Sequence, residues 1–142
     1  MTSPFKRLEP AGWPRATGYS NGVLVPAGHD LVFTAGMVGW DEKEQIVPGG
    51  FAAQFEQALQ NCLSVVALAG GGPEHVVRMT CFVVDKEDYL SSLPELGEAW
   101  RQTMGRNYPA MALVQVAGLV EAGARVEIEA TAAVPAGSGP RL

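Results

Sequence analysis

Two carboxylates offer the plainest chemistry in this sequence. Glu127 and Glu129 alternate along Val126-Glu-Ile-Glu-Ala130, a β-rich stretch that would set both on one strand face about 7 Å apart. Covered by a cleft, such a carboxylate has its pKa raised and can act as a general base or hold a water. Left in solvent beside Arg125, the same pair is only a polar strand face. The other reactive residue types are poorly placed. His29 and His75 lie in separate turns, outside any HxH, HExxH or Cys-rich pattern, so they read as surface or capping residues and no metal site is expected. Ser20 sits in no Gly-x-Ser-x-Gly and has no evident His partner. Cys62 and Cys81 fall within buried elements and read as small hydrophobes. Trp13, Trp40 and Tyr108 stand near predicted turns, where they are free to line a pocket, whereas Trp100 belongs to a helix stripe and reads as core.

The elements that must position these groups follow from periodicity. Residues 22–26 and 31–36 read as strands joined by a turn at Pro26-Ala-Gly-His-Asp30, and a short strand is expected at 45–47. Phe51, Phe55, Ala58, Leu59, Cys62, Val65, Val66 and Ala69 recur at steps of three and four, predicting a helix over 51–69 with one apolar stripe. Gly70-Gly71-Gly72-Pro73 ends it. That run follows a helix rather than a strand and lacks a Lys-Ser/Thr, so it is a helix stop and not a phosphate loop. Residues 76–84 are apolar on both faces apart from Arg78 and Thr80, as in a central strand covered on both sides. A short turn and a helix over 93–104 come next, then strands at 113–117 and 125–134. The order β-β-(β)-α-β-α-β-β predicts an α+β protein, a mixed sheet with two helices on one face.

Composition narrows the function classes. The chain has 142 residues, 47% hydrophobic and only 18% charged, with a mean hydropathy of +0.09. That is few charges for a monomer surface, where about 25% is usual, and it predicts that the second sheet face is covered by another subunit. Residues 1–142 are expected to form one domain, with a core from about 18 to 134, loose residues 1–4 and a flexible tail over 135–142. The net charge of −5 and pI near 4.9, without a basic run, disfavour nucleic acid as a partner. No apolar stretch is long enough to span a bilayer, and residues 1–9 lack the apolar core of a signal peptide. A cytoplasmic protein in a reducing compartment is expected.

Several segments, taken in order, resemble the RidA/YjgF family: Gly18-Tyr19-Ser20, Leu31-Val-Phe-Thr-Ala-Gly36, Gln54 to Asn61, Ala69-Gly70, Val76-Val-Arg-Met-Thr80, Asp85 to Tyr89, Tyr108-Pro-Ala110 and Val126-Glu-Ile-Glu-Ala130. The resemblance runs from about residue 18 to 134. It implies a chorismate-mutase-like fold and a homotrimer with a small-molecule cleft between each pair of subunits. It also implies hydrolysis of reactive enamines and imines from pyridoxal-phosphate enzymes to keto acids and ammonia, without a cofactor. Carried over residue by residue, it puts the water-positioning Glu on Glu127, a cleft tyrosine on Tyr19 and a backbone contributor on Gly36. Trp40 is expected to shape the same pocket.

One part of the family pattern is missing. The Arg that clamps a substrate carboxylate after Pro-Ala is Met111 here, a cysteine shortly after it is Leu113, and a helix Asn is Leu93. A thioether cannot present the planar donor fork of a guanidinium. Losing that clamp removes about 2–5 kcal/mol of binding, a deficit of roughly thirtyfold or more on small 2-imino acids. The expected function is therefore a divergent deaminase for a bulkier or less acidic imine or enamine. The alternative is a non-catalytic trimer that binds a metabolite or partner in the same cleft. A ribonuclease reading, attached to relatives, fits the acidic charge poorly.

Overall fold

The computed structural model describes residues 2–140. The chain forms β1 (Lys6–Arg7), β2 (Val23–Leu24), β3 (His29–Phe33), β4 (Met37–Val38), α1 (Phe51–Leu68), β5 (Val76–Val83), α2 (Lys86–Leu90), α3 (Leu93–Thr103), β6 (Ala110–Gln115) and β7 (Val126–Pro135). β7 is the hub of the larger sheet. It pairs antiparallel with β3 and β4 along one edge and with β5 along the other, and β5 pairs parallel with β6. Parallel neighbours need a crossover, which α2 and α3 supply. The helices lie on one face, as the periodicity predicts, and the architecture is α+β.

The packing follows from the two periods. Phe51, Phe55, Ala58, Leu59, Cys62 and Val66 of α1 are buried, against Val126, Ile128, Ala130, Ala132 and Val134 on every second residue of β7. Each fully buried Leu, Ile or Val contributes about 1.5–3 kcal/mol. Where α1 ends, the Gly70 N–H donates to Ala67 O and the Gly71 N–H to Val66 O, with Gly70 at φ 82°. This left-handed closure needs a glycine, so the Gly-Gly-Gly-Pro run is indeed a helix stop.

Three expectations about strands are corrected. Residues 22–26 do not form a hairpin with the next strand. Val23–Leu24 pairs instead with β1, which periodicity in so short a segment cannot reveal, and β3 takes β7 as its partner. His29 consequently belongs to β3 rather than to a turn; its Nδ1 lies 2.8 Å from Pro26 O. Residues 45–47 are not a sheet strand. The Asp41 carboxylate accepts from the Lys43 and Gln45 N–H groups, and Glu44 adopts φ 57°, so this segment curls back on itself with only a bridge between Trp40 and Ile46. The strand that joins the sheet is β4, just before. β6 begins at Ala110, three residues earlier than expected at 113, because Ser20 and Pro109 anchor its start.

The opposite sheet face carries Leu31, Phe33 and Val114 at 57%, 69% and 43% exposure. Along the predicted tail, the Ala136 N–H donates to Gly28 O and the Gly137 N–H to the Asp30 carboxylate. Met1 of the loose N-terminus and residues 141–142 of the tail lie outside the described residues.

Candidate active site

Register decides which candidate residues meet. Met111 stands opposite Met79 and Leu113 opposite Cys81, and Met79 and Cys81 are core residues on the helix side. Met111 and Leu113 therefore point under the helices. Glu127 stands opposite Phe82 on one side and Val38 on the other, one residue out of phase with the buried row of β7. Since strand side chains alternate, Glu127 belongs to the opposite face. The candidate residues of one chain thus fall into two halves, on opposite faces of the sheet.

The helix-side half is a hollow of about 340 Å³ between α2, α3 and the start of β6. Met111 and Leu113 line it with Leu93, Tyr89, Trp100 and Tyr108. Trp100 and Tyr108 stack with ring centroids 6.0 Å apart and planes within 4°, and the Trp100 indole N–H donates to Asn107 O at 3.1 Å. Trp100 is core, as its place on the stripe predicts, and its ring is also a wall of the hollow. Gly18 forms part of the rim. Its neighbour Ser20 pins the segment to β6: the Ser20 N–H donates to Pro109 O at 3.0 Å, and its hydroxyl donates to Tyr108 O. Tyr19 projects from this pinned turn, 40% exposed, with its carbonyl accepting from Arg7 at 3.1 Å. It stands beside the hollow rather than in its lining.

The sheet-side half is Glu127 on Gly36. A side chain at position 36 would put its Cβ 2.8 Å from Glu127 Cδ and 2.9 Å from Oε2. Glycine here is a requirement of close approach: the carboxylate lies where a methyl group would otherwise be. Glu127 is half-buried. Glu129 takes no part in this half. It is exposed, opposite Thr80, in a separate hollow of about 230 Å³ with Arg78, Thr131 and Phe33. The sequence pairs these carboxylates with Arg125, and the structure does not: Arg125 Nε donates to Asp88 Oδ2 at 3.0 Å and its Nη2 to Oδ1, tying β7 to α2.

Two amide side chains hold the sheet-side half in place. Asn61 Nδ2 donates to Val38 O at 3.0 Å and to Trp40 O at 2.9 Å, fixing the end of β4 and the loop that bears Trp40. Gln54, buried on α1, donates to Gly123 O at 3.1 Å and accepts from the Arg125 N–H at 2.8 Å, fixing the entry to β7. Both lie inside the Gln54–Asn61 family-like segment, but the sequence reading gave them no job. A polar residue on an otherwise apolar helix face, as Gln54 is, was the available signal.

The thiols are not reactive groups. Burial pushes Cys62 up to about 11, against a lesser lowering by the Thr34 hydroxyl, and pushes Cys81 up to about 12. His75 caps its own turn, accepting from the Gly72 N–H at 3.0 Å.

A family model described as Endoribonuclease L-PSP matches residues 13–134. The chain belongs to this family, RidA/YjgF. Among RidA/YjgF relatives, the human 2-iminobutanoate/2-iminopropanoate deaminase is 36% identical over 135 residues, 93% of each chain. Protein DfrA of Myxococcus xanthus is 36% identical over 121 residues, 84% of this chain and 88% of that one. Among solved structures, the Rid-family protein YyfB of Yersinia pestis, of unknown function, superposes with a TM-score of 0.80 at 26% identity, covering 92% of this chain and 98% of that one. RidA of the Antarctic bacterium Psychrobacter sp. PAMC 21119 superposes at 0.63 with 33% identity, covering 91% and 99%. The RidA/YjgF fold is thus common to these chains. No helix among the described residues is long and apolar enough to cross a membrane.

Proposed function

We propose that the chain assembles as a homotrimer and hydrolyses a small reactive imine or enamine in clefts between subunits, with little activity on small 2-imino acids. The observation that carries this reading is the register. Glu127 and the Met111 hollow lie on opposite faces of one sheet, so one substrate meets both only if they come from different copies. Exposed Leu31 and Phe33 on the uncovered face are the surface a second copy would bury. The relatives named as iminobutanoate and iminopropanoate deaminases support the reaction class.

In the proposed reaction, the hollow takes the apolar part of the substrate and Glu127 of the neighbouring copy orients a water toward the C=N carbon. Water oxygen bonds to that carbon, a water proton reaches nitrogen through the carboxylate, and the carbinolamine then expels ammonia. The remaining water proton leaves with it, giving a carbonyl compound. Met111 and Leu113 offer dispersion contacts where a guanidinium would hold a carboxylate. The acidic net charge, −5, weighs against cleavage of RNA despite the family description.

Ammonia release from imines generated in situ by an amino-acid oxidase tests the reading. A branched or aromatic imine is expected to turn over faster than 2-iminopropanoate. Equal rates with wild type and Glu127→Ala across all of them would leave the binding-only alternative, which the apolar Met111 and Leu113 lining favours.

A further inference from the structure

Among the described residues, the hollow that holds Met111 has one charged residue in its wall, Arg101 of α3. Leu93, Gly97, Trp100 and Arg101 all line the hollow, at helical spacings of four, seven and eight, so they share one face of α3. Gly97 is the odd member. A glycine inside a helix is unfavourable relative to alanine. A Cβ at position 97 would meet Arg101 Nη1 at 3.6 Å, an ordinary contact, so the guanidinium lies back over the bare backbone of Gly97. A longer side chain at 97 would occupy that place.

Arg101 is held there lightly. Its Nη2 donates to Glu98 Oε2 at 2.7 Å, with both side chains about 60% exposed (64% and 59%). An exposed pair of this kind contributes little and is readily exchanged for another anion. Glu98 does not line the hollow. Of the arginines that flank the site in sequence, Arg125 is paired with Asp88, while Arg106 and Arg15 line other hollows. Leu93, Leu96, Trp100 and Tyr108 give the same hollow an apolar wall.

We propose that Arg101 is the anionic anchor of this cleft, and that the substrate is an imine or enamine whose carboxylate is separated from the C=N carbon by an apolar or aromatic segment. The proposal rests on the reading of the hollow as half of the substrate site. An anchor on α3, rather than on β6 beside Met111, selects against 2-imino acids, in which carboxylate and C=N carbon are adjacent. It selects for molecules long enough to lay an apolar stretch on the Trp100–Tyr108 stack while the carboxylate reaches the helix.

The test uses stable carbonyl compounds in place of imines, so that binding is read apart from hydrolysis. Calorimetric titration of the intact protein compares 4-oxo-4-phenylbutanoate, its methyl ester and pyruvate. Wild type is expected to bind the acid at least about tenfold more tightly than the ester, and pyruvate more weakly than either. Arg101→Gln is expected to erase the acid-over-ester preference. Arg101→Lys should keep part of it, and Glu98→Gln should raise it a fewfold by freeing the guanidinium. Gly97→Leu, with the guanidinium's place taken, should lower it. Equal affinity of wild type for acid and ester overturns the proposal, as does an acid preference that survives Arg101→Gln. Glu127→Ala separates the two readings: a variant that cannot hydrolyse imines but keeps the acid preference supports the anchor, whatever becomes of the deaminase.

Discussion

The two half-sites are built by opposite means. The helix-side hollow owes its shape to packing, with aromatic and aliphatic side chains from α2, α3 and β6 forming a continuation of the core. The sheet-side half is a single carboxylate on a glycine, positioned by backbone that Asn61 and Gln54 tie down. The first kind of site can change its ligand by exchanging side chains of similar volume, as packed surfaces tolerate such exchanges. The second tolerates little change at its floor, because a Cβ added at position 36 would overlap the carboxylate itself. In the proposed cleft, the sheet-side carboxylate is therefore the fixed part and the hollow is the adjustable part.

The largest effect should come from the fixed part. Glu127→Gln keeps the shape and removes the base, so turnover of the best imine is expected to fall about 10²–10⁴-fold, with thermal stability little changed. Steady-state ammonia release checks it, and a loss under threefold would remove Glu127 from the chemistry.

The dryness of the helix side makes the next prediction. Cys81 lies against Met111, Sγ to Sδ 4.0 Å, and burial raises Cys62 from 9.0 to about 11 and Cys81 to about 12. Relative to an unfolded chain, the folded protein therefore holds roughly a hundredth of the thiolate at Cys62 and less still at Cys81. Reaction with a disulfide reagent at pH 8 should be slow by that factor and appear on denaturation. The sign for stability follows from proton uptake. Above pH 9 the unfolded thiols lose protons that the folded ones keep, so stability falls as pH rises from about 9 toward 11 and beyond. A midpoint of urea unfolding that does not decline there, once the same change in a Cys62→Ala, Cys81→Ala variant is subtracted, would mean that water reaches the thiols.

Exchanging a side chain in the adjustable part should redirect the site without disabling it. Met111→Arg places a guanidinium fork where the family pattern has one, and activity on 2-iminopropanoate is expected to rise by roughly thirtyfold, while activity on bulky apolar imines falls. No gain on the small acid would show that the half-sites do not meet at position 111. Gly36→Ala probes the fixed part by a smaller step. The added methyl would overlap the Glu127 carboxylate at 2.8 Å, so about a tenfold loss of turnover is expected, with binding of apolar carbonyl compounds in the hollow retained.

What the sequence made legible tracks the range of the interactions. The α1 stripe, its glycine stop and the alternation in β7 are local periodicities, and each stands where it was expected. The face of the sheet on which a residue lies depends on register between strands far apart in the chain. Thus local periodicity does not show that Met111 and Glu127 of one chain lie on opposite faces of the sheet. Short strands escaped for the same reason: β1 and β4 have two residues each, too few to show a period. The false strand at 45–47 was apolar enough to belong to a sheet, but Asp41 captured its backbone N–H groups. Asn61, whose two bonds to the β4 end and the Trp40 loop span 23 and 21 residues, carries no sequence signal of that role beyond being polar within a helix.

Arg125 gives the smallest predicted effect and the cleanest contrast between the regions. In sequence it is two residues from Glu127, and proximity made it the natural partner for the strand carboxylates. In space its side chain binds Asp88 of α2, with the Arg and Asp side chains 44% and 20% exposed. A pair so open to water contributes at most about 1 kcal/mol, and its bidentate form places it near the upper end of that range. Arg125→Gln should therefore lower the free energy of unfolding by less than about 1 kcal/mol and leave imine turnover within twofold. Urea unfolding at low and high salt separates the contributions, since screening should shrink the difference between wild type and variant. A large loss of turnover with unchanged stability would instead put the Arg125 guanidinium in the cleft, and Glu127 would have to be treated as half of an ion pair rather than as a free carboxylate on glycine.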